Sequence, residues 1–146
     1  MSFKNFLMKL RIAPNRLISD VQKDFNNEFP FLKIEFFQKR MQQPAFTFQE
    51  MVPTNRRVAD GQTAVTDGDI EISATMTVKD LEKIFKDQFS LAVQVFRRSG
   101  NLWLETTMTD SWTLGLQNQH GKEISTINKK DNPDENDYEL NRDTDR

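Results

Sequence analysis

The chain has 146 residues, enough for one domain with a buried core, and it contains no cysteine. The lack of cysteine excludes disulfides, zinc–thiolate sites, iron–sulfur clusters and thiol catalysis. Residues 128–146 hold seven acidic and four basic side chains, whereas residues 1–127 hold 15 acidic and 16 basic ones. The acidic charge therefore belongs to the C-terminus, and the body has no global field that would attract nucleic acid.

The N-terminal segment does not have the apolar run of a signal peptide, because Lys4, Lys9 and Arg11 interrupt it. No stretch approaches the ~20 apolar residues that a membrane-spanning helix needs. We therefore expect a soluble cytoplasmic protein with no membrane partner.

The first predicted elements are a strand, a helix and a second strand. Apolar residues occupy every second position from Phe6 to Ile12, which predicts a half-buried strand. Apolar residues at helical spacing then predict a helix over residues 17–29. Pro30 ends this helix because proline cannot donate the next backbone hydrogen bond. The apolar run at residues 32–37 predicts the second strand.

A second strand–helix–strand series follows. Alternation over residues 70–75 predicts a strand, and apolar spacing predicts a helix over residues 78–89. Thr77 and Asp80 resemble a capping box at the start of that helix. The apolar residues of the segment 91–96 predict the next strand.

The series continues with a hairpin and a short helix. The turn signal at residues 97–101 predicts that residues 102–108 return as a hairpin partner strand. A short helix is predicted over residues 113–119, with Thr113 as its cap and Gly121 just past its end as a stop signal.

The two series share sequence as well as order. Residues 20–29 read DVQKDFNNEF, and residues 80–89, sixty positions later, read DLEKIFKDQF. The coincident aspartate and lysine are not required by helical spacing, so the match predicts an internal duplication. Two tandem β-α-β units with an added hairpin strand predict an α+β fold, a ferredoxin-like sandwich with both helices on one sheet face. A β-grasp fold built on the second copy is the alternative, although it needs a hairpin ahead of the helix.

The predicted domain covers residues 1–127, with its halves at about 4–37 and 69–108. The connector at residues 38–68 is long for a compact domain, which indicates a functional or loosely ordered segment. Residues 128–146 show no periodicity and are rich in Asp and Asn, so we predict a disordered acidic tail.

The sequence contains little that indicates catalysis. The single histidine, His120, lies at the end of a predicted helix, where an exposed imidazole is favoured by the helix dipole. Asp67, Asp69 and Asp110 lie in turn-like segments, and no phosphate-binding or metalloprotease motif is present. We therefore expect a non-enzymatic protein with no cofactor and no metal site.

The strongest functional signal is the predicted second face of the sheet. The residues that alternate with the core positions include Phe37, Phe96 and Trp103, with Lys9 and Arg11 beside them. Large aromatic side chains on a sheet face without helical cover are typical of contact surfaces. The connector or the tail covers this face, or another protein or a second copy of the chain packs on it.

Nucleic-acid binding is the weaker alternative, because aromatic rings on such a sheet can stack on bases. The cations available to it are Lys9, Arg11, Arg97 and Arg98. Three glutamates are predicted on the same face and oppose this interpretation: Glu35, Glu71 and Glu105.

Two segments carry a family resemblance: PNRLISDVQKDFNNEFPFLKIEFF (14–37) and VQVFRRSGNLWLETTMTDSWTLGLQNQHGKE (93–123). Together they resemble a family of small bacterial proteins without assigned function. The resemblance covers most of residues 8–124 and implies no catalytic residue. Its most distinctive part is TDSWTLGLQNQHG, in which Trp112 either seals the edge of the sheet or forms a fourth candidate partner-binding residue.

Overall fold

The computed structural model describes the backbone over residues 7–43, 46–60 and 66–131, and side chains over 7–38, 50–60 and 66–126. Within these ranges the chain is α+β, as predicted. The elements are β1 (Leu7–Ile12), α1 (Ile18–Glu28), β2 (Leu32–Gln43), β3 (Phe46–Met51), β4 (Gly68–Ser73), α2 (Val78–Phe89), β5 (Ala92–Ser99), β6 (Leu102–Glu105), a 3₁₀ turn (Thr107–Thr109) and α3 (Leu114–Asp131).

The strands form two antiparallel sheets. β1 pairs with β4 in a two-stranded sheet, and the second sheet has the order β3-β2-β5-β6. A ferredoxin-like sandwich would hold the strands of both units in one sheet, and the observed pairing differs from that prediction. The reason is that β2 pairs with β5 along its first half and with β3 along its second half. Within the described ranges, neither β1 nor β4 pairs with a strand of this sheet.

The connector contributes strands that the sequence analysis did not predict. β2 runs six residues past its predicted end at Phe37, and β3 follows within the segment treated as connector. Beyond β3 the chain remains attached to the body through the buried side chains of Val52 and Val58. Residues 61–65 lie outside the described part of the chain.

Backbone carbonyls from distant loops cap the N-termini of α1 and α2 in the same way. At α1, Ile18 N–H donates to Arg56 O (2.9 Å) and Ser19 N–H to Thr54 O (3.0 Å). At α2, the equivalent Val78 N–H donates to Trp112 O (3.1 Å) and Lys79 N–H to Asp110 O (2.9 Å). These bonds satisfy amide groups that have no acceptor inside the helix.

The cap predicted for α2 is also present. Thr77 Oγ1 accepts a hydrogen bond from Asp80 N–H at 3.1 Å. Leu17, at the corresponding position of α1, has no side-chain cap bond. The first helix therefore depends more on its loop than the second does.

The core lies between the helices and the sheets. Phe25 of α1 and Phe85 of α2 are fully buried, and Phe36 meets Phe85 edge-on with ring centroids 5.8 Å apart. Because Phe36 belongs to the first series and Phe85 to the second, this contact joins the two halves in one core. The alternation predicted for the first strand is confirmed over β1, since Leu10 and Ile12 are buried while Lys9 and Arg11 are exposed.

The third helix is longer than predicted, and Gly121 lies inside it. A Cβ atom at Gly121 would approach Phe31 Cβ to 3.0 Å and Arg97 Cγ to 3.1 Å, so glycine allows the helix to lie close to the strand ends. The prediction of Gly121 as a stop signal was therefore wrong. Residues 128–131, assigned by prediction to the tail, are helical, and the rest of the predicted tail, 132–146, lies outside the described residues. Thr113 is confirmed as the cap, since its Oγ1 accepts from Leu116 N–H at 3.1 Å.

Candidate interaction surface

The strand β6 forms one edge of the four-stranded sheet and is central to the candidate site. Arg98 of β5 donates its backbone N–H to Phe31 O, on the side of β2, at 2.9 Å. Because successive residues of a strand direct their backbone N–H and C=O groups to opposite sides, Arg97 and Ser99 direct theirs toward β6. Leu104 and Leu102 are paired with Arg97 and Ser99, so their backbone groups face β5. The backbone groups of Trp103 and Glu105 therefore face outward, away from the sheet. In the described part of the chain, no strand pairs with this outer edge.

One face of β6 continues the aromatic face predicted from sequence. Trp103 is the cross-strand neighbour of Arg98, and Glu105 is the neighbour of Phe96, which is itself paired with Lys33. Lys33 Nζ lies 5.7 Å from the centroid of the Phe96 ring and 5.1 Å from that of Trp103. These distances are within the range of cation–π contacts.

The aromatic residues of this face are less open than the sequence suggested. Phe96 is 9% exposed and Trp103 is half-buried beneath Lys33. Lys33 in turn pairs with the buried carboxylate of Glu35 at 3.0 Å. Phe37 shares the face but pairs with Ala92, four residues along β5 from Phe96. The structure thus brings Phe96 and Trp103 together and leaves Phe37 at the far end of the strand pair.

The other face of β6 is the more exposed one. Leu102 is 64% exposed and Leu104 is 41% exposed, although they alternate with Trp103 and so share the face of the core positions of β5. Leu104 is the cross-strand neighbour of Arg97, whose guanidinium carbon lies 5.7 Å from the centroid of the Trp112 indole. Apolar surface is therefore accessible on this face of the edge strand, and Arg97 is the neighbour of both Leu104 and Trp112.

Trp112 is held at the base of α3 by several contacts. Its carbonyl caps α2, as described above, and its ring meets that of His120 edge-on with centroids 5.5 Å apart. His120 lies in the middle of α3 and is half-buried, so it is not the exposed terminal residue that was predicted. Leu116, one turn before His120 on the helix, is exposed.

Arg97 is fixed in position by a buried amide. Gln117, fully buried in α3, accepts a hydrogen bond from Arg97 Nη1 at 2.7 Å and donates to Thr109 O at 2.8 Å and Thr109 Oγ1 at 2.9 Å. This network ties α3 to β5 and to the 3₁₀ turn after β6. The sequence analysis missed Gln117 because nothing in its local pattern distinguishes it from a solvated glutamine.

The cations of the nucleic-acid alternative are not collected on one surface. Lys9 and Arg11 belong to β1 and lie in the other sheet, where Arg11 pairs with Asp67 and Asp69. Arg97 and Arg98 lie on opposite faces of β5 because they are adjacent in a strand. The prediction that Lys9 and Arg11 join the aromatic face was therefore wrong.

Glu82 of α2 is a half-buried carboxylate with a shifted pKa. Burial raises the pKa of Glu82 above its ordinary value; the hydrogen bond from Val95 N–H (3.2 Å) opposes this rise, and the nearby charge of Asp110 adds to it. Among the described residues, no group of three or more His, Asp and Glu side chains is placed to hold a metal ion. No helix within the described ranges is both long and apolar enough to cross a membrane.

The sequence analysis missed Leu102, Leu104 and Leu116 as surface residues. A weak signal was present in Leu102-Trp103-Leu104, because an ordinary edge strand with one solvated face alternates apolar with polar residues. This strand has apolar side chains on both faces.

Comparisons with known proteins identify no similar protein. No family model matches the chain, and no curated protein and no solved structure matches it.

Proposed function

We propose that this chain is a non-enzymatic protein-interaction module that binds an extended segment of a partner along the outer edge of β6. The observation that carries the proposal is a strand edge that pairs with no other strand among the described residues, together with two exposed leucines, Leu102 and Leu104. Strand addition is a common way to recognise extended peptides: backbone hydrogen bonds provide affinity and alternate side chains provide specificity.

Both faces of β6 suit such a segment. A strand added to the edge would place alternate side chains beside Trp103 and Arg98 on one face, and beside Leu102 and Leu104 on the other. Natural edge strands commonly carry lysine, proline or a bulge that prevents pairing. β6 has none of these, although it is only four residues long and carries one charge, Glu105, and both features also limit pairing.

The register of the strand pairs supports an internal duplication of the chain. β1 and β4 pair about Leu10 and Ile70, which are sixty positions apart, and β2 and β5 pair about Glu35 and Gln94, which are 59 apart. Both strand pairs are thus centred on residues that correspond in the two copies. We infer a duplicated β-α-β-β unit whose copies join by antiparallel strand pairing. The resemblance to a small bacterial family stays a prediction.

Nucleic-acid binding receives less support. Its four cations are distributed over two sheets and over both faces of β5. Of these four, Arg98 lies beside the Trp103 ring, where Lys33 adds a further cation, and this is the part of that alternative that the geometry favours. A steep loss of affinity with salt would be its signature.

The test compares two double variants. Leu102→Ser/Leu104→Ser removes the exposed leucines of β6, and Leu7→Ser/Met51→Ser removes two other exposed apolar residues as a matched control. Each protein is immobilised for capture from native lysate, and its mass is measured by light scattering over a concentration series. We expect the β6 variant to lose a captured protein, or a self-association, that the control keeps.

A third variant tests the backbone edge itself. Glu105→Pro removes an outward N–H while leaving the bonds from Leu102 and Leu104 to β5 intact. It should lose the same binding if a strand adds there. Equal binding by all variants would exclude β6 as the docking site.

A further inference from the structure

We infer that the segment that binds along β6 is β6 of a second copy of this chain, in an antiparallel pair that places Trp103 of each copy opposite Glu105 of the other. The inference rests on the proposed function, because it names the partner of the edge described above. The dimer would have a twofold axis between the two β6 strands and would join the four-stranded sheets of both copies. A twofold interface brings the same surface of both copies together, so it needs a surface that is complementary to itself.

The backbone groups of the edge restrict the register of such a pair. Those of Trp103 and Glu105 face outward, and in an antiparallel pair they must meet outward groups of the other strand. The symmetric registers that satisfy this condition have their axes at Trp103, at Leu104 or at Glu105. An axis at Glu105 sets two like charges directly opposite each other, which is destabilising.

The axis at Leu104 uses the edge most fully. Trp103 of each copy then forms a hydrogen-bonded pair with Glu105 of the other, so the outward groups of both residues are satisfied. Leu104 lies opposite its own copy in a non-hydrogen-bonded pair, in which side chains are closest. Because Leu104 is exposed in the single chain, this contact removes apolar surface from water. An axis at Trp103 would instead pair Glu105 with Asn101, which lies in the turn before β6.

The charge on this edge is complementary to itself in the same register. Arg98 is the cross-strand neighbour of Trp103, and its guanidinium carbon lies 5.8 Å from the centroid of the Trp103 ring. The guanidinium is therefore directed toward β6, and Glu105 of the second copy would lie on the far side of the same ring. Arg98 and Glu105 are both exposed, and among the described side chains neither has an opposite charge within ion-pair distance. The twofold axis forms this pair twice.

The length of β6 sets the strength of the association. The strand has four residues, whereas stable protein interfaces bury about 1,200–2,000 Å² in total. Exposed ion pairs contribute little to affinity, so Arg98 and Glu105 determine the register more than the strength. We therefore expect a weak dimer that forms at high protein concentration.

The chain has no cysteine, so a single introduced cysteine reports on its distance from the same residue in a second copy. Leu104→Cys lies on the axis, where paired Cα atoms are about 4.5 Å apart, within the range of a disulfide. Leu102→Cys is the matched control on the same strand. The register sets its Cα about 13 Å from that of its copy, although Leu102 is the more exposed of the two leucines.

The measurement is the rate at which disulfide-linked dimers form in a glutathione buffer, over protein concentrations up to about 1 mM. We expect Leu104→Cys to form them about tenfold faster than Leu102→Cys under native conditions, and at a similar rate in urea. Adding Glu105→Pro, which removes an outward N–H, should abolish the difference. Equal native rates, or a faster rate for Leu102→Cys, would overturn the inference. Circular dichroism of the reduced proteins confirms that each is folded.

A charge exchange tests the pairing of Arg98 with Glu105. Glu105→Arg and Arg98→Glu, each added to Leu104→Cys, set like charges opposite each other when both copies are identical. An equimolar mixture of the two proteins restores opposite charges in every mixed dimer. We expect each variant alone to form the disulfide about fivefold more slowly than Leu104→Cys, and the mixture to recover most of that loss. Slow formation in the mixture as well would contradict the register.

The failure of this inference is distinguishable from the failure of the proposed function. If the two cysteine variants react equally while Leu102→Ser/Leu104→Ser still loses a captured protein, the docking edge stands and its partner is a different extended segment. If they react equally and no captured protein is lost, both proposals fail.

Discussion

The two halves of the molecule, residues 7–59 and 68–115, have the same order of elements but present different surfaces. Each has a strand, a helix capped by loop carbonyls, and a hairpin. After the β5–β6 hairpin the chain continues into α3. After the β2–β3 hairpin of the first half it forms a turn at residues 58–60 instead. The exposed leucines of β6, Leu102 and Leu104, belong to the second half. The comparison teaches that two halves with the same order of elements can share one core and still present different surfaces.

The helices show the same divergence in one pair of residues. Gln22 and Glu82 are sixty positions apart and both reach backbone edges of the strands. Gln22 Nε2 donates to Ile34 O at 2.6 Å, whereas Glu82 Oε2 accepts from Val95 N–H at 3.2 Å. The first half uses a neutral amide for this task, and the second half buries a carboxylate.

The largest expected effect tests whether the halves unfold together. Phe25→Ala and Phe85→Ala should each cost about 3–5 kcal/mol of unfolding free energy, since both rings are fully buried in the shared core. Both tryptophans, Trp103 and Trp112, lie in the second half. Urea unfolding of Phe25→Ala followed by tryptophan fluorescence and by far-UV circular dichroism should give coincident curves. Separate transitions would show that the halves are independent.

The second prediction concerns α3, which only the second half carries. Glycine to alanine inside a helix normally stabilises by about 1 kcal/mol. Gly121→Ala should instead destabilise by about 1–3 kcal/mol, because the added Cβ would lie 3.0 Å from Phe31 Cβ and 3.2 Å from Arg98 O. Lys122→Ala, at an exposed position of the same helix, is the control in urea denaturation. A stabilising Gly121→Ala would mean that α3 does not approach the strands so closely.

The third prediction concerns helix capping, in which the halves differ. Thr77→Ala should cost about 1 kcal/mol, because it removes the acceptor for Asp80 N–H. Thr77→Ser retains the hydroxyl and should recover most of that loss. Thermal unfolding of the three proteins measures the difference. If alanine and serine behave alike, the side-chain cap contributes nothing beyond the carbonyls of Asp110 and Trp112.

The smallest expected effect is a pH dependence of the unfolding free energy, which Glu82 should cause and Gln22 should not. Because the pKa of Glu82 is raised in the folded state, chiefly by burial, the folded protein binds its proton more tightly than the unfolded chain does. Stability should therefore fall as pH rises from the ordinary pKa of a glutamate through the raised folded value. Glu82→Gln keeps an acceptor for Val95 N–H and should lack this fall.

The measurement is the difference in unfolding free energy between Glu82→Gln and wild type at pH 4 and pH 7. The variant should gain relative to wild type at the higher pH. Glu71→Gln, at an exposed position of β4, controls for the loss of one negative charge. An identical difference at both pH values would contradict the raised pKa.

Local sequence patterns predicted part of the fold. Alternation placed β1 and β4, and apolar spacing with Thr77 placed α2, because burial of one face imposes the period of the element. The long extension of β2 and the presence of β3 were missed, since residues 38–51 carry many polar side chains. Their strand structure depends on pairing between distant residues, which leaves little local trace.

The sequence predicted the candidate site only in part. Phe96 and Trp103 were placed on one face by alternation, and the register shows them on neighbouring strands with Lys33 across both rings. The exposure of Leu102 and Leu104 was not predicted, because a sequence pattern shows which residues share a face but not which face is covered. Coverage depends on where α3 packs, and that depends on contacts such as Gly121 with Phe31.

The sequence by itself determined the α+β class, the two related series of elements and most of the buried positions, because these depend on the period of apolar residues along a short stretch of chain. The tertiary structure alone decided the division of the strands into two sheets, the length of α3 and the exposure of β6. These features arise from competition among distant segments for the same strand edges and the same apolar surface, and no local pattern records which segment wins.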